Sequence, residues 1–244
     1  MKPFLLLGTR DEDAAADNEY AAFLAFTGLD RSALRRVRME RGPLGPLDLD
    51  DWSGILLGGG PFNASDPAAA KSPVQRRVEA ELGVLLDEVV TRDFPFLGAC
   101  YGIGVVGTHQ GGTVDRRYAE PISRVEVTLT PAGRQDPLLV DLPERFEAFV
   151  GHKEAIAVLP PGAVHLASSP ACPVQAFRMG RHVYATQFHP ELDIEGLCTR
   201  IEVYKHAGYF EPDQVATLQA MARTGQVVAP PRILTRFVRR YARG

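Results

Sequence analysis

Cysteine is scarce in this chain: three residues in 244, an odd number that argues against a disulfide framework. Long apolar runs are missing as well. No stretch reaches the roughly 20 residues that a membrane-crossing helix needs. The opening Met1-Lys2-Pro3-Phe4-Leu5-Leu6-Leu7-Gly8 has too short an apolar segment for a secretory signal. A soluble, cytoplasmic protein is expected. Positive charge is not in excess: 27 Lys and Arg stand against 30 Asp and Glu, a net charge of −3, which leaves no basic footprint for nucleic acid. His109, His152, His165, His182 and His206 lack metal-ligand spacing and are expected in structural or surface positions, so neither a metal nor another cofactor is anticipated. Gly58-Gly59-Gly60 lacks the Lys-Ser/Thr that a phosphate-binding P-loop requires. There is no internal repeat and no low-complexity tract.

What is present is a reactive side chain in a special setting. Phe96-Leu97-Gly98-Ala99-Cys100-Tyr101-Gly102-Ile103-Gly104 is an apolar run with glycine two residues to either side of Cys100. A nucleophile at a strand-to-helix turn often needs a strained backbone, and flanking residues without side chains let the chain double back. The N-terminus of the following helix favours a thiolate, and the Tyr101 N–H is placed to hold an oxyanion. Read alone, this segment is equally a buried cysteine in a glycine-rich packing contact. Cys172 and Cys198 have no such flanks and are expected to be structural.

A thiol nucleophile needs a base that is near in space rather than in sequence. Val183-Tyr184-Ala185-Thr186-Gln187-Phe188 alternates like a strand and delivers His189 at its end. Pro190 stops the ladder and presents Glu191, whose carboxylate can orient the imidazole. Alone, His-Pro-Glu is also a common surface turn.

Strand and helix signals alternate along the chain. Residues 4–8 read as a buried strand, 9–17 as a polar acidic loop, and 19–27 as a helix ended by Gly28. Strands are expected at 34–39 and 52–57 around a linker at 43–51, followed by a turn-rich loop over 58–73. Ser72-Pro73 opens the clearest helix, with Val74, Val78, Leu82, Leu85, Leu86 and Val89 on one face. The nucleophile strand spans 94–99 and its helix 102–108. Shorter β-like segments at 124–130, 146–150, 163–168 and 174–178 suggest an antiparallel extension. Residues 194–207 look helical, with Ile194, Leu197, Ile201 and Tyr204 in phase. This alternation implies an α/β fold: a mostly parallel central sheet flanked by helices, with a small antiparallel extension and the active site at the strand C-terminal ends.

Phe96 to Gly102 and Gln187 to Glu191 together resemble the two signatures of class I (triad) glutamine amidotransferases, whose fold is flavodoxin-like. The likeness is greatest to the glutamine-hydrolysing domain of GMP synthetase and its free-standing relatives. Gly54-Ile55-Leu56-Leu57-Gly58-Gly59-Gly60-Pro61 resembles the family's strand and Gly-Gly-Pro loop, which supplies a second oxyanion amide, here Gly60. A weaker likeness is Gly151-His152-Lys153-Glu154, where relatives carry a Ser-His-Gly-Asp type loop beside the substrate.

The resemblance covers roughly residues 1–205 and implies a domain over 1–208, with 209–244 as a helical extension packed on it. In that extension 213–223 and 233–241 read as helices. The second bears Arg232, Arg236, Arg239, Arg240 and Arg243, a solvated face or a contact for an acidic partner or a further copy of the chain.

The resemblance also implies a reaction. Cys100 attacks the side-chain carboxamide of glutamine, His189 serves as acid and then base, Glu191 fixes the imidazole, and Gly60 and Tyr101 amides hold the oxyanion. The partners implied are a small-molecule substrate, glutamine or a γ-glutamyl compound, and an ammonia-accepting synthetase on a separate polypeptide. Assembly into a homo-oligomer stays open, and neither nucleic acid nor membrane is expected. The chain has no Ser-Gly-Gly-x-Asp-Ser loop of an ATP pyrophosphatase. Relatives usually carry Gln four residues after the nucleophile, to hold the substrate; this chain has Gly104. Two other readings therefore stand beside the first: a hydrolase of γ-glutamyl peptides or amides without an ammonia acceptor, and a non-catalytic binding protein on the same fold.

Overall fold

The computed structural model describes residues 2–207 and 210–244. The first half runs β1 (Phe4–Gly8), α1 (Asp13–Thr27), β2 (Leu34–Arg38), β3 (Gly54–Leu57), α2 (Pro73–Thr91), β4 (Phe96–Ala99) and α3 (Tyr101–His109). Next come β5 (Thr113–Asp115), β6 (Glu120–Leu129), α4 (Pro131–Gln135), β7 (Arg145–His152), β8 (Ala155–Val158), β9 (Val164–Ser168), β10 (Ala176–Met179) and β11 (Val183–Thr186). Three helices close the chain: α5 (Ile194–Val203), α6 (Val215–Arg223) and α7 (Pro231–Tyr241).

Nine strands form one sheet in the order β2-β1-β3-β4-β11-β10-β9-β6-β7, and β5 pairs with β8 in a separate two-stranded sheet. The first five strands of the large sheet are parallel and the last four antiparallel. The buried runs of β1, β3 and β4 explain the parallel half, because parallel strands need cover on both faces. Alternation along β1 divides the core in two. Phe4 and Leu6 join Phe23 of α1 and Phe237 of α7, whereas Leu5 and Leu7 join Val78, Leu82 and Leu86 of α2. Ser72 caps α2, its side chain accepting the Gln75 N–H at 3.0 Å.

Several expectations are corrected. The helix expected over 19–27 begins at Asp13, within the stretch read as a loop, although Gly28 caps it in the left-handed conformation as foreseen. Its buried positions include Ala15, Ala16, Glu19 and Tyr20, so the apolar signal was diluted by alanine and a buried acid. The strand expected from residue 52 starts at Gly54, after a 3₁₀ turn at Leu49–Asp51. Val74 is exposed, and Gln75 is buried in its stead. The helix expected to reach residue 207 ends at Val203. β5, β8 and α4 were not foreseen, and the antiparallel part is larger than expected, since its four strands extend the main sheet itself.

The expected boundary between 208 and 209 lies outside the described residues. Beyond it, α7 buries Ile233, Leu234, Phe237, Val238 and Tyr241 and turns Arg232, Arg239 and Arg240 outward. The Phe4 and Phe237 rings lie 6.1 Å apart, and Thr235 donates to the Phe26 carbonyl at 2.6 Å.

Candidate functional site

Three sequence motifs stand on three adjacent parallel strands. Gly58-Gly59-Gly60 follows β3, Cys100 follows β4, and His189 lies three residues beyond β11, with β4 between the other two. Parallel register sends all three to the C-terminal edge of the sheet, where open α/β sheets form their binding crevice.

Cys100 sits between the last residue of β4 and the first of α3, at φ 52° and ψ −95°, a conformation that L-residues rarely adopt. Its N–H donates to Thr186 O at 2.8 Å, tying the turn to β11, and its thiol is half-buried. The flanking glycines have a physical cause. A Cβ on Gly98 would lie 3.0 Å from the Gly102 Cα, so strand and helix pack backbone on backbone.

His189 and Glu191 meet directly, with Nδ1 donating to Glu191 Oε1 at 2.8 Å. Arg200 of α5 donates to the same carboxylate oxygen at 2.9 Å. Arg200 Nη1 also lies 3.1 Å from His189 Nδ1, but that nitrogen cannot accept while it donates, so the carboxylate orients the ring. Burial alone would push the His189 pKa down. The Glu191 carboxylate and the Cys100 sulfur, each by charge and by hydrogen bond, outweigh it and raise the pKa to about 9. Burial works to raise the Glu191 pKa, yet His189 and Arg200 together hold it well below the usual carboxylate range.

These directions give a pH prediction. The raised imidazole contributes stability that is full below its ordinary value of 6.5 and fades as pH climbs through about 9. The depressed carboxylate contributes above its ordinary value of 4.5, and that contribution disappears as pH falls. The urea midpoint should therefore be highest between these two ordinary values and decline on either side, and Glu191→Gln should flatten the alkaline decline.

Gly59 is a wedge between the reacting groups. A Cβ there would lie 2.6 Å from His189 Cε1, 2.9 Å from Arg10 Nη2 and 3.4 Å from Cys100 Cβ. Gly59→Ala is expected to push the imidazole off the thiol. It should cost about 1–3 kcal/mol of stability, and any rate that depends on the pair should fall roughly 10- to 100-fold. Urea unfolding and steady-state kinetics check the two together. Gly60 lines the clefts on both sides of Cys100. The Tyr101 N–H, in the first turn of α3, has no intrahelical acceptor and is free to face a ligand.

The 151–154 segment ends β7 and borders the cleft with Cys100, Gly60, Tyr101 and Gln187. His152 is buried, with Nε2 at 3.0 Å from Glu120 Oε2 and Nδ1 at 2.9 Å from Glu154 O. Glu120, His152 and Cys172 bring potential metal-ligand atoms within 4.8 Å of one another. Both ring nitrogens of His152 are already engaged, and burial pushes the Cys172 thiol up to about 12. The cluster has the form of hydrogen-bonded packing.

Sequence reasoning missed Arg10, Glu19 and Arg200. Arg10 Nε donates to Glu19 Oε1 at 2.9 Å, and Arg200 Nη2 lies 3.5 Å from that oxygen while bonding Glu191. All four are at most 5% exposed, so an alternating Arg–Glu–Arg–Glu chain runs behind the imidazole. The Tyr204 hydroxyl accepts from Arg10 Nη1 at 3.2 Å. A signal did exist for Arg200: it shares the helical face of Leu197, Ile201 and Tyr204, where a charge needs a buried partner. Arg10 follows β1 in a loop and carries no such periodicity.

Known proteins show the same pattern. A model of the family described as glutamine amidotransferase class-I matches residues 36–197. One subunit of a glutamine-hydrolysing GMP synthase from Methanoculleus marisnigri is 33% identical over 140 residues, covering 57% of this chain and 65% of that protein. Its counterpart from Methanocaldococcus jannaschii is 31% identical over 140 residues, covering 57% and 64%. The match thus spans just under two thirds of those relatives. In fold, a glutamine amidotransferase from Thermotoga maritima superposes with a TM-score of 0.76 at 18% identity, with 100% of both chains covered. One from Methylobacillus flagellatus gives 0.71 at 21% identity, covering 100% of this chain and 97% of that one. With a family match over more than half of its length and this sheet beneath its motifs, the chain belongs to the class I glutamine amidotransferases.

Proposed function

We propose that the chain hydrolyses the side-chain amide of glutamine to glutamate and ammonia through a Cys100 thioester. The thiolate sulfur adds to the amide carbon, and the carbonyl oxygen takes up negative charge between the Gly60 and Tyr101 amides. Protonated His189 gives its proton to the nitrogen, the C–N bond breaks, ammonia departs, and a γ-glutamyl thioester remains. Neutral His189 then takes a proton from water, the hydroxide adds to the thioester carbon, and the C–S bond breaks to release glutamate. Glu191 keeps the ring in one tautomer and balances its charge.

The observation that carries this reading is the buried imidazole held between the Glu191 carboxylate and the Cys100 sulfur. The relatives named as GMP synthase subunits supply the acceptor: ammonia would pass to a synthetase on a separate polypeptide. Treating 1–208 as the amidotransferase domain and 209–244 as its helical extension is part of the same proposal.

A second reading, hydrolysis of γ-glutamyl amides or peptides, is favoured by Gly104, which leaves the expected substrate-holding side chain absent. The purified chain incubated with glutamine and a panel of γ-glutamyl amides separates the two by ammonia or amine release. Ammonia from glutamine supports the first, and turnover of substituted amides alone supports the second. No turnover, with Cys100 unmodified by a glutamine-shaped chloroketone in mass spectrometry, would leave only a binding role.

A further inference from the structure

The space beside Gly104 is occupied. A Cβ on Gly104 would lie 2.9 Å from Glu154 Oε1 and 3.4 Å from the Ala64 Cβ, so the Glu154 carboxylate fills the volume that a side chain at 104 would take. Glu154 is 7% exposed. Its Oε1 accepts the Ala64 N–H and its Oε2 the Ser65 N–H, each at 2.7 Å, which fastens the 61–66 loop against α3. A carboxylate offers about four acceptor sites, so lone pairs remain on both oxygens.

The same cleft touches Cys100, Gly60, Tyr101, Lys153, Glu154 and Gln187. Two further polar atoms belong to these lining residues. Gln187 Oε1 and the Tyr101 hydroxyl are buried and have no hydrogen-bond partner among the described residues. The wall around the nucleophile thus combines an anion with a carbonyl oxygen and a hydroxyl, a set matched by a primary ammonium with its three N–H donors. Lys153, on the same wall, is the complementary cation for a carboxylate next to that ammonium.

We infer that Glu154 is the specificity-determining residue of this cleft, receiving the α-ammonium of the substrate in the volume vacated at position 104. This rests on the hydrolase reading above and deepens it. The substrate is restricted to amides of the γ-carboxyl group of a free α-amino acid, and acids lacking the amine are excluded. A carboxylate can only accept, whereas the carboxamide that relatives carry near this point both donates and accepts; Gly104 and Glu154 work as a pair.

The test compares ammonia release from glutamine and from 4-carbamoylbutanoate, which differs only in lacking the α-amino group. Wild type should favour glutamine roughly 10- to 100-fold in kcat/KM, the range for losing a charged hydrogen bond. Glu154→Gln should narrow that ratio by raising KM for glutamine, with kcat and the rate for the des-amino amide little changed. Equal wild-type turnover of both amides overturns the inference, and so does an equal loss on both in Glu154→Gln, the mark of a residue that only fastens the loop. The wild-type comparison decides even if the variant does not fold. If turnover is too slow to measure, the rates at which glutamine-shaped and des-amino chloroketones alkylate Cys100 give the same ratio. Failure of wild type on both amides with no alkylation removes the hydrolase reading itself, and the inference with it.

Discussion

Glycine in place of Cys100 is expected to abolish hydrolysis, by about four orders of magnitude or more, and to make the protein more stable. The two effects share one cause. Cys100 is held at φ 52° and ψ −95° by the β4–α3 turn, with its N–H fixed to Thr186 O. A side chain in that conformation costs on the order of 1–3 kcal/mol, and glycine escapes most of the cost. Part of the gain is lost because glycine has more freedom in the unfolded chain. The net expectation is a gain of about 1 kcal/mol, read from urea unfolding of the inactive variant. Cys100→Ser separates strain from chemistry: it keeps a side chain in the same conformation, so it should be as inactive but no more stable than wild type. A glycine variant less stable than the serine variant would show that the turn is not strained.

The second large effect concerns Arg200. Arg200→Met removes one cation from the buried Arg–Glu–Arg–Glu chain and leaves Glu191 and Glu19 with one partner each. Breaking a buried ion pair in this way costs about 3–5 kcal/mol. Arg200 helps hold the Glu191 carboxyl below its usual range, so its loss should also bring protonation of Glu191 toward neutral pH. The acid limb of the stability and activity profiles should move upward, a displacement that mere loosening of α5 would not produce. Arg200→Lys keeps the charge and loses the planar fork, so it should recover the pH limb better than the stability. Denaturation midpoints and kcat/KM across pH measure both. An acid limb in Arg200→Met coincident with wild type would mean that Arg200 only packs.

The parts of the fold that could be read in advance were the locally encoded ones. Ser72-Pro73 with its apolar face marked α2, the uninterrupted apolar runs marked β1, β3 and β4, and the glycines around Cys100 marked a close strand–helix contact. The parts that escaped had weak or contrary local signals. α1 carries alanines and a buried glutamate where a larger apolar stripe was sought. β5 and β8 are three and four residues long, too short for a periodicity to register. Arg10, Glu19 and Arg200 run against the rule that charges face water, and each is tolerated only because the others neutralise it.

The sequence by itself determined which groups can react and on what local geometry, because a thiol between glycines and a histidine ahead of Pro-Glu are written within a few consecutive residues each. It also determined the α/β character, through runs of apolar residues that neither depend on nor reveal their neighbours. Only the tertiary structure decided that β3, β4 and β11 lie side by side, that two arginines and a glutamate stand behind Glu191, and that Glu154 fills the space beside Gly104. Those outcomes join positions as distant as Arg10 and Arg200, and long-range packing and burial of charge, rather than any local preference, bring them together.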